Sequence, residues 1–132
     1  MLKIDELYQE IADVLVEIVP ERWTKISVNA RVHEMNSTVT LAYTPLKGEG
    51  AVFGEAIPTA FKAYKALYPQ LLEELEVTFS QLWYAVKEQE GEAFTHVTYT
   101  IDQDGAIDVK YSEQAIADEA AFVEQWKAQF NA

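Results

Sequence analysis

The sequence predicts an α+β fold: an antiparallel sheet of about five strands with helices packed on one face, in the order α-β-β-β-α-β-β-α. Three observations predict it. Apolar side chains recur with a helical period in three segments and alternate with a period of two in five others. The strand-like runs follow one another across short, turn-rich links, which makes neighbouring strands antiparallel. The chain has 132 residues, 49% of them hydrophobic, enough for one buried core, so residues 1–132 are expected to form a single domain.

The first helix is read over residues 3–19. Ile4, Leu7, Tyr8, Ile11, Val14, Leu15 and Ile18 share one face, Glu6, Glu10, Asp13 and Glu17 fall mostly on the other, and Pro20 stops the run. The period then switches to two. Ile26, Val28, Ala30 and Val32 alternate with Lys25, Ser27, Asn29, Arg31 and His33, a half-buried strand. A turn over Glu34-Met35-Asn36-Ser37 leads into a second strand with Val39, Leu41 and Tyr43 on one face. Pro45 to Gly50 reads as a loop and Ala51 to Glu55 as a short third strand.

Ile57-Pro58 breaks the pattern, and Thr59 to Tyr68 fits either a few helical turns or a loop. Beyond Pro69, Leu71, Leu72, Leu75, Phe79, Leu82, Trp83 and Val86 mark a long amphipathic helix that Gly91 ends. Thr95, Val97, Tyr99 and Ile101 alternate with Phe94, His96, Thr98 and Thr100. Asp102-Gln103-Asp104-Gly105 is a hairpin turn, because Gly supplies the positive φ, and Ala106 to Tyr111 returns beside the preceding strand. Ser112 is placed to cap a last helix, with Glu113 in its first turn and Ile116, Ala120, Val123, Trp126 and Phe130 facing inward.

Charge bounds the function. The net charge is −12, and it is uneven: residues 1–69 hold 9 acids and 7 bases, residues 70–132 hold 13 acids and 3 bases. A field of this sign repels nucleic acid and anionic membrane and attracts basic proteins, so neither nucleic acid nor membrane is an expected partner. With no cysteine, disulfides, thiolate metal sites and a thiol nucleophile are excluded. The opening Met1-Leu2-Lys3-Ile4-Asp5-Glu6 lacks a signal-peptide apolar core, and no stretch approaches the roughly 18 apolar residues of a membrane span. The expected location is the cytoplasm. The Asn36-Ser37-Thr38 sequon therefore reads as part of a turn.

Motifs for chemistry are scarce. His33 and His96 are the only imidazoles, and they come without H-x-x-x-H, H-E-x-x-H or G-x-S-x-G, so both read as plain strand residues. The turn at Asp102 to Gly105 with Asp108 suggests calcium, but its Gly stands fourth where the EF-hand requires it sixth. Gly48, Gly50 and Gly54 do not match a phosphate loop in spacing and precede no G-K-[ST]. The aromatic stripe Phe79, Trp83, Trp126 and Phe130 reads as core. No metal, cofactor or catalytic residue is expected, and the chain is read as a binding protein rather than an enzyme. A small carboxylate- or metal-dependent hydrolase using His33 or His96, and an oligomeric adaptor, are the alternatives.

Leu7-Tyr8-Gln9-Glu10-Ile11-Ala12 followed by Val19-Pro20-Glu21-Arg22-Trp23 is a helix closed by a Pro and a nearby Trp, and this pattern resembles the opening of the YezG-type immunity protein family. The Leu71 to Trp83 helix fits its middle. Phe94-Thr95-His96-Val97-Thr98-Tyr99, Asp102-Gln103-Asp104-Gly105 and Tyr111 fit its closing hairpin, and Trp126-Lys127 its terminal helix. Two departures stand out: the family pattern has Trp where Phe94 stands, and a more acidic strand where Asp108-Val109-Lys110-Tyr111 stands.

The resemblance implies an antitoxin made beside a polymorphic toxin of the LXG or type VII-secreted kind, often a nuclease, which it holds inactive in the producing cell. The charge fits that role independently, since a nuclease groove is basic and acidic partners associate fast by steering. The expected toxin contact lies on the closing hairpin and last helix, at Asp102, Asp104, Asp108, Glu113, Asp118 and Glu119.

Overall fold

The computed structural model describes residues 3–33, 36–48 and 50–130. Helix α1 spans Ile4–Ile18 and buries Leu7, Ile11, Ala12, Val14, Leu15 and Ile18. At its start the Glu6 carboxylate accepts from the Lys3 backbone N–H at 3.4 Å. Strands β1 (Trp23–His33), β2 (Asn36–Pro45), β3 (Val52–Phe53), β4 (His96–Asp102) and β5 (Ile107–Ser112) form one sheet in the order β3-β2-β1-β4-β5. Every neighbouring pair is antiparallel. The α+β class, the five strands and the order of the main elements are those the periodicity predicts.

The sheet has an apolar and a polar face, set by the period of two. Ile26, Val28, Ala30 and Val32 of β1 lie beside Leu41 and Tyr43 of β2 and Val97, Tyr99 and Ile101 of β4. All are buried in one cluster with α1 and with α3, which spans Leu67–Glu90 and contributes Leu71, Leu75, Phe79, Leu82, Trp83 and Val86. Polar atoms of this core are satisfied at its margin. Tyr99 Oη donates to the Tyr8 carbonyl at 2.8 Å, Trp83 Nε1 to the Phe94 carbonyl at 2.9 Å, and Tyr43 Oη to Glu21 Oε2 at 2.6 Å. Gly91, at φ 83°, ends α3 in the left-handed conformation that spares glycine a Cβ clash.

The last helix, α4 (Glu119–Ala128), departs from the expectation that all helices share one face. The Phe122 ring lies 4.6 Å from that of His96, which shares the polar face with Asn29 and Thr98. At its far end Phe130 packs edge-on against Phe53 of β3. The helix therefore crosses the polar face, where it buries Trp126 and roofs Ser27, Asn29 and Arg31.

Several boundaries are also revised. Asn36 and Ser37 belong to β2, with His33 opposite Asn36, while Glu34 and Met35 of the expected turn lie outside the described residues. The third strand has two residues and not five, because a 3-10 turn begins at Gly54. Segment 54–64 is three short turns: Gly54–Ala56, helix α2 (Ile57–Ala60) and Lys62–Tyr64. The α3 start at Leu67 keeps Pro69 within the first turn, where its missing N–H costs nothing. Ser112 does not cap α4; it pairs with His96, and its Oγ accepts from Gln114 N–H. The cap is Asp118, which accepts from Ala121 N–H at 3.1 Å. Of the expected inward stripe only Trp126 is buried; Val123 and Phe130 are half-buried, Ala120 is exposed, and Ile116 precedes the helix.

Candidate functional site

The six acids expected at the contact surface fall into three groups. Asp102 and Asp104 stand at the tip of the β4–β5 hairpin. Asp108 lies near the middle of the arc, early in β5. Glu113, Asp118 and Glu119 surround the entry to α4 at the other end of β5. All but the half-buried Asp102 are exposed. A strand of six residues separates the two ends by roughly 20 Å, so they make an arc and not a single cluster.

Two of the six have structural duties that charge counting missed. Asp102 Oδ1 accepts from the backbone N–H groups of Asp104 and Ala106, at 3.0 and 3.1 Å, and so fixes the turn in which Gly105 sits at φ 88°. Asp118 holds the α4 N-terminus. Asp104, Asp108, Glu113 and Glu119 are the acids of the arc for which no such bond is seen among the described residues.

The hairpin acids also have basic company. Asp102 and Asp108 line a groove of about 480 Å³ beneath α4 together with Lys25 and Lys110, and Lys110 Nζ lies 4.0 Å from Asp108. Both ends of that pair are solvated, so it contributes little stability. A larger groove, about 840 Å³, was not foreseen. It runs between the start of α1 and the end of α3, with Tyr8, Ala85, Val86 and Tyr111 as its floor and Asp5, Glu88 and Glu90 on its rim. Asp5 is far from Glu88 and Glu90 in sequence, and only the pairing of α1 with α3 brings them together.

The polar face holds the most unusual electrostatics. Arg31 is 3% exposed and has no carboxylate within ion-pair distance among the described residues. Its Nη1 donates to Asn29 O at 3.1 Å and Oδ1 at 3.0 Å, its Nη2 donates to Thr40 Oγ1 at 2.8 Å, and its Nε has no partner. Burial lowers the Arg31 pKa, against the pull of Glu119 in the opposite direction. Burial, with Arg31 nearby, likewise lowers that of His96 and favours the neutral ring.

His96 lines a groove with Asn29, Thr98, Lys110, Phe122 and Trp126, and no carboxylate is among its lining residues. His33 is exposed at the end of β1. Among the described residues no group of three or more His, Asp or Glu side chains is placed to hold a metal. None of the helices described is long and apolar enough to cross a membrane.

The comparison with known proteins extends along nearly the whole fold. The family profile described as "Immunity protein YezG-like" matches residues 4–129, from the first turn of α1 to just past α4. The chain belongs to this immunity protein family. Immunity protein YezG of Bacillus subtilis (strain 168) is 27% identical over 109 residues, covering 83% of this chain and 72% of the relative. Immunity protein YezG of Bacillus spizizenii (strain ATCC 23059 / NRRL B-14472 / W23) is 29% identical over 119 residues, covering 89% and 73%. The type VII secretion system protein EsaG of Staphylococcus aureus (strain NCTC 8325 / PS 47) is 22% identical over 109 residues, covering 83% and 67%. The arc, the α1–α3 groove and the roofed polar face are surfaces that this YezG-like chain presents among the described residues.

Proposed function

We propose that this chain is the cytoplasmic immunity partner of a secreted toxin, which it neutralises by direct, equimolar binding as a single domain. The observation that carries the reading is the family match over residues 4–129, with a type VII secretion protein among the relatives. The acidity supports a partner with a basic surface, and a nuclease domain with its substrate groove is the class that fits best. The role is binding and not catalysis, and neither nucleic acid nor membrane is a direct partner. Charge governs the association rate and the choice of partner, while buried apolar anchors supply most of the affinity.

The contact face is the arc of Asp102, Asp104, Asp108, Glu113, Asp118 and Glu119. A pull-down of the tagged protein from its native lysate, with partners identified by mass spectrometry, tests the function. Recovery of one large secreted toxin with a basic C-terminal domain is expected. No specific partner, from cells shown to express the neighbouring toxin, contradicts the reading.

A further inference from the structure

Strand β5 forms one end of the sheet and, among the described residues, pairs on one side only, with β4. The Asp102 N–H bonds Ala106 O, and at the other end Thr95 N–H bonds Ser112 O. Backbone bonds in an antiparallel ladder alternate, so the even positions of β5 face β4 and Ile107, Val109 and Tyr111 turn their N–H and C=O groups to the open edge. Sheet edges are ordinarily blunted by proline, bulges or a cover. Here the register runs unbroken from Ile101 opposite Ile107 to His96 opposite Ser112, and α4 crosses the sheet's face and not this edge. Ile107 and Tyr111 remain 37% and 40% exposed.

We propose that β5 pairs with β5 of a second copy of this chain, antiparallel about a two-fold axis at Val109, to join two five-stranded sheets into one. The sequence of the strand is self-complementary about that residue. Ile107 stands opposite the partner's Tyr111 on the apolar face, and Val109 opposite the partner's Val109. On the other face Asp108 stands opposite the partner's Lys110, and the reverse pair repeats it. The outward backbone groups of Ile107, Val109 and Tyr111 meet their equivalents in the same register. Asp108 and Lys110 fall at non-hydrogen-bonded positions, where side chains approach most closely.

Axes at Asp108 or Lys110 would set like charges directly opposite. Axes between residues would place apolar side chains opposite charged ones. Val109 is thus the centre that satisfies backbone, charge and apolar pairing together, and this self-match points to a second copy and not to an unrelated strand. Two forces limit the dimer. Each chain carries −12, although charges more than about 8 Å apart are largely screened at physiological salt. A single pair of short strands also buries less than the ~1,000 Å² of a lasting interface, so the dimer is concentration-dependent.

Sedimentation velocity of the full chain over a concentration series, at physiological salt, tests the proposal. The wild type is expected to move from 15.0 kDa toward twice that mass. D108K and K110D each create two like-charge pairs across the axis and should weaken self-association about tenfold or more. The double variant D108K/K110D restores opposite charges and should recover wild-type behaviour. V109P removes an outward N–H without touching the β4 ladder and should be monomeric; melting curves establish that each variant is folded.

A wild type that stays at one chain mass throughout overturns the proposal. So does a dimer indifferent to the single reversals, or a double variant that fails to recover. If the wild type is monomeric but V109P loses a toxin, the edge takes a strand of the toxin instead, and self-pairing is wrong.

Discussion

A methyl group on Gly54 has nowhere to go. An ideal Cβ there would lie 2.5 Å from Tyr68 Oη and 2.7 Å from Leu41 Cγ. Leu41 and Tyr68 both belong to the buried core cluster, so neither moves aside without disturbing its neighbours. Gly54→Ala is expected to cost about 1–3 kcal/mol, the usual range for overpacking, measured by urea denaturation. A loss within ±0.5 kcal/mol would mean that the turn at Gly54–Ala56 yields freely. In the sequence Gly54 stands out only beside Gly48 and Gly50, as a phosphate-loop spacing that fails; its close packing depends on Leu41 and Tyr68, which no local pattern connects to it.

His96 makes a pH-dependent contribution at the same scale. Its folded pKa is lowered from 6.5, first by burial and then by Arg31, so the unfolded chain binds the proton more readily. The sign follows from linkage: this contribution is fully present above pH 6.5 and is lost as pH falls through the folded value. His96→Gln should therefore give a shallower decline in melting temperature than the wild type on acidification below 6.5. Parallel profiles for the two proteins would show that the imidazole is not linked to folding.

At the level of elements, α4 is held differently from α1 and α3. It rests on one buried side chain, Trp126, with Phe122 on His96 and Phe130 on Phe53, and the Lys127 ammonium reaches the Glu55 carboxylate. Beneath it the buried guanidinium of Arg31 gains water if the helix lifts, which offsets part of the lost apolar contact. Trp126→Ala should thus release α4 alone. Hydrogen exchange is expected to show lost protection across 119–128 with protection of α1 and α3 retained. Loss of protection throughout the chain would show that α4 is integral to the core.

The same contrast explains what was legible in the sequence. The long elements were readable because Leu7 to Ile18 and Leu71 to Val86 carry an undiluted helical stripe, and β1 and β4 a strict alternation. The side taken by α4 was not, since its pattern is weak and the face it covers is polar: Ser27, Asn29 and Arg31 read as solvent-facing until a helix is seen over them. The acids of the arc were legible as charge density. The duties of Asp102 and Asp118 were not, because a turn bond and a cap depend on where the elements actually begin.

For the whole molecule, the arc and the α1–α3 groove are two separate acidic surfaces among the described residues, and the binding reading chooses between them. The arc is exposed but has Lys25 and Lys110 among its hairpin acids; the α1–α3 groove combines acids with an aromatic floor. Reversal of Asp104, Glu113 and Glu119 to Lys tests the arc without disturbing the Asp102 turn, the Asp118 cap or the β5 edge. If the arc guides a basic toxin, the triple variant should associate at least about tenfold more slowly and lose much of its salt dependence, with the dissociation rate changed less. Reversal of Asp5, Glu88 and Glu90 is the matched control. Because apolar anchors mostly set the dissociation rate, a groove used for docking would show its effect there and in the equilibrium affinity. An unaffected arc variant beside a crippled groove variant would move the toxin from the hairpin margin to the cleft between the two long helices.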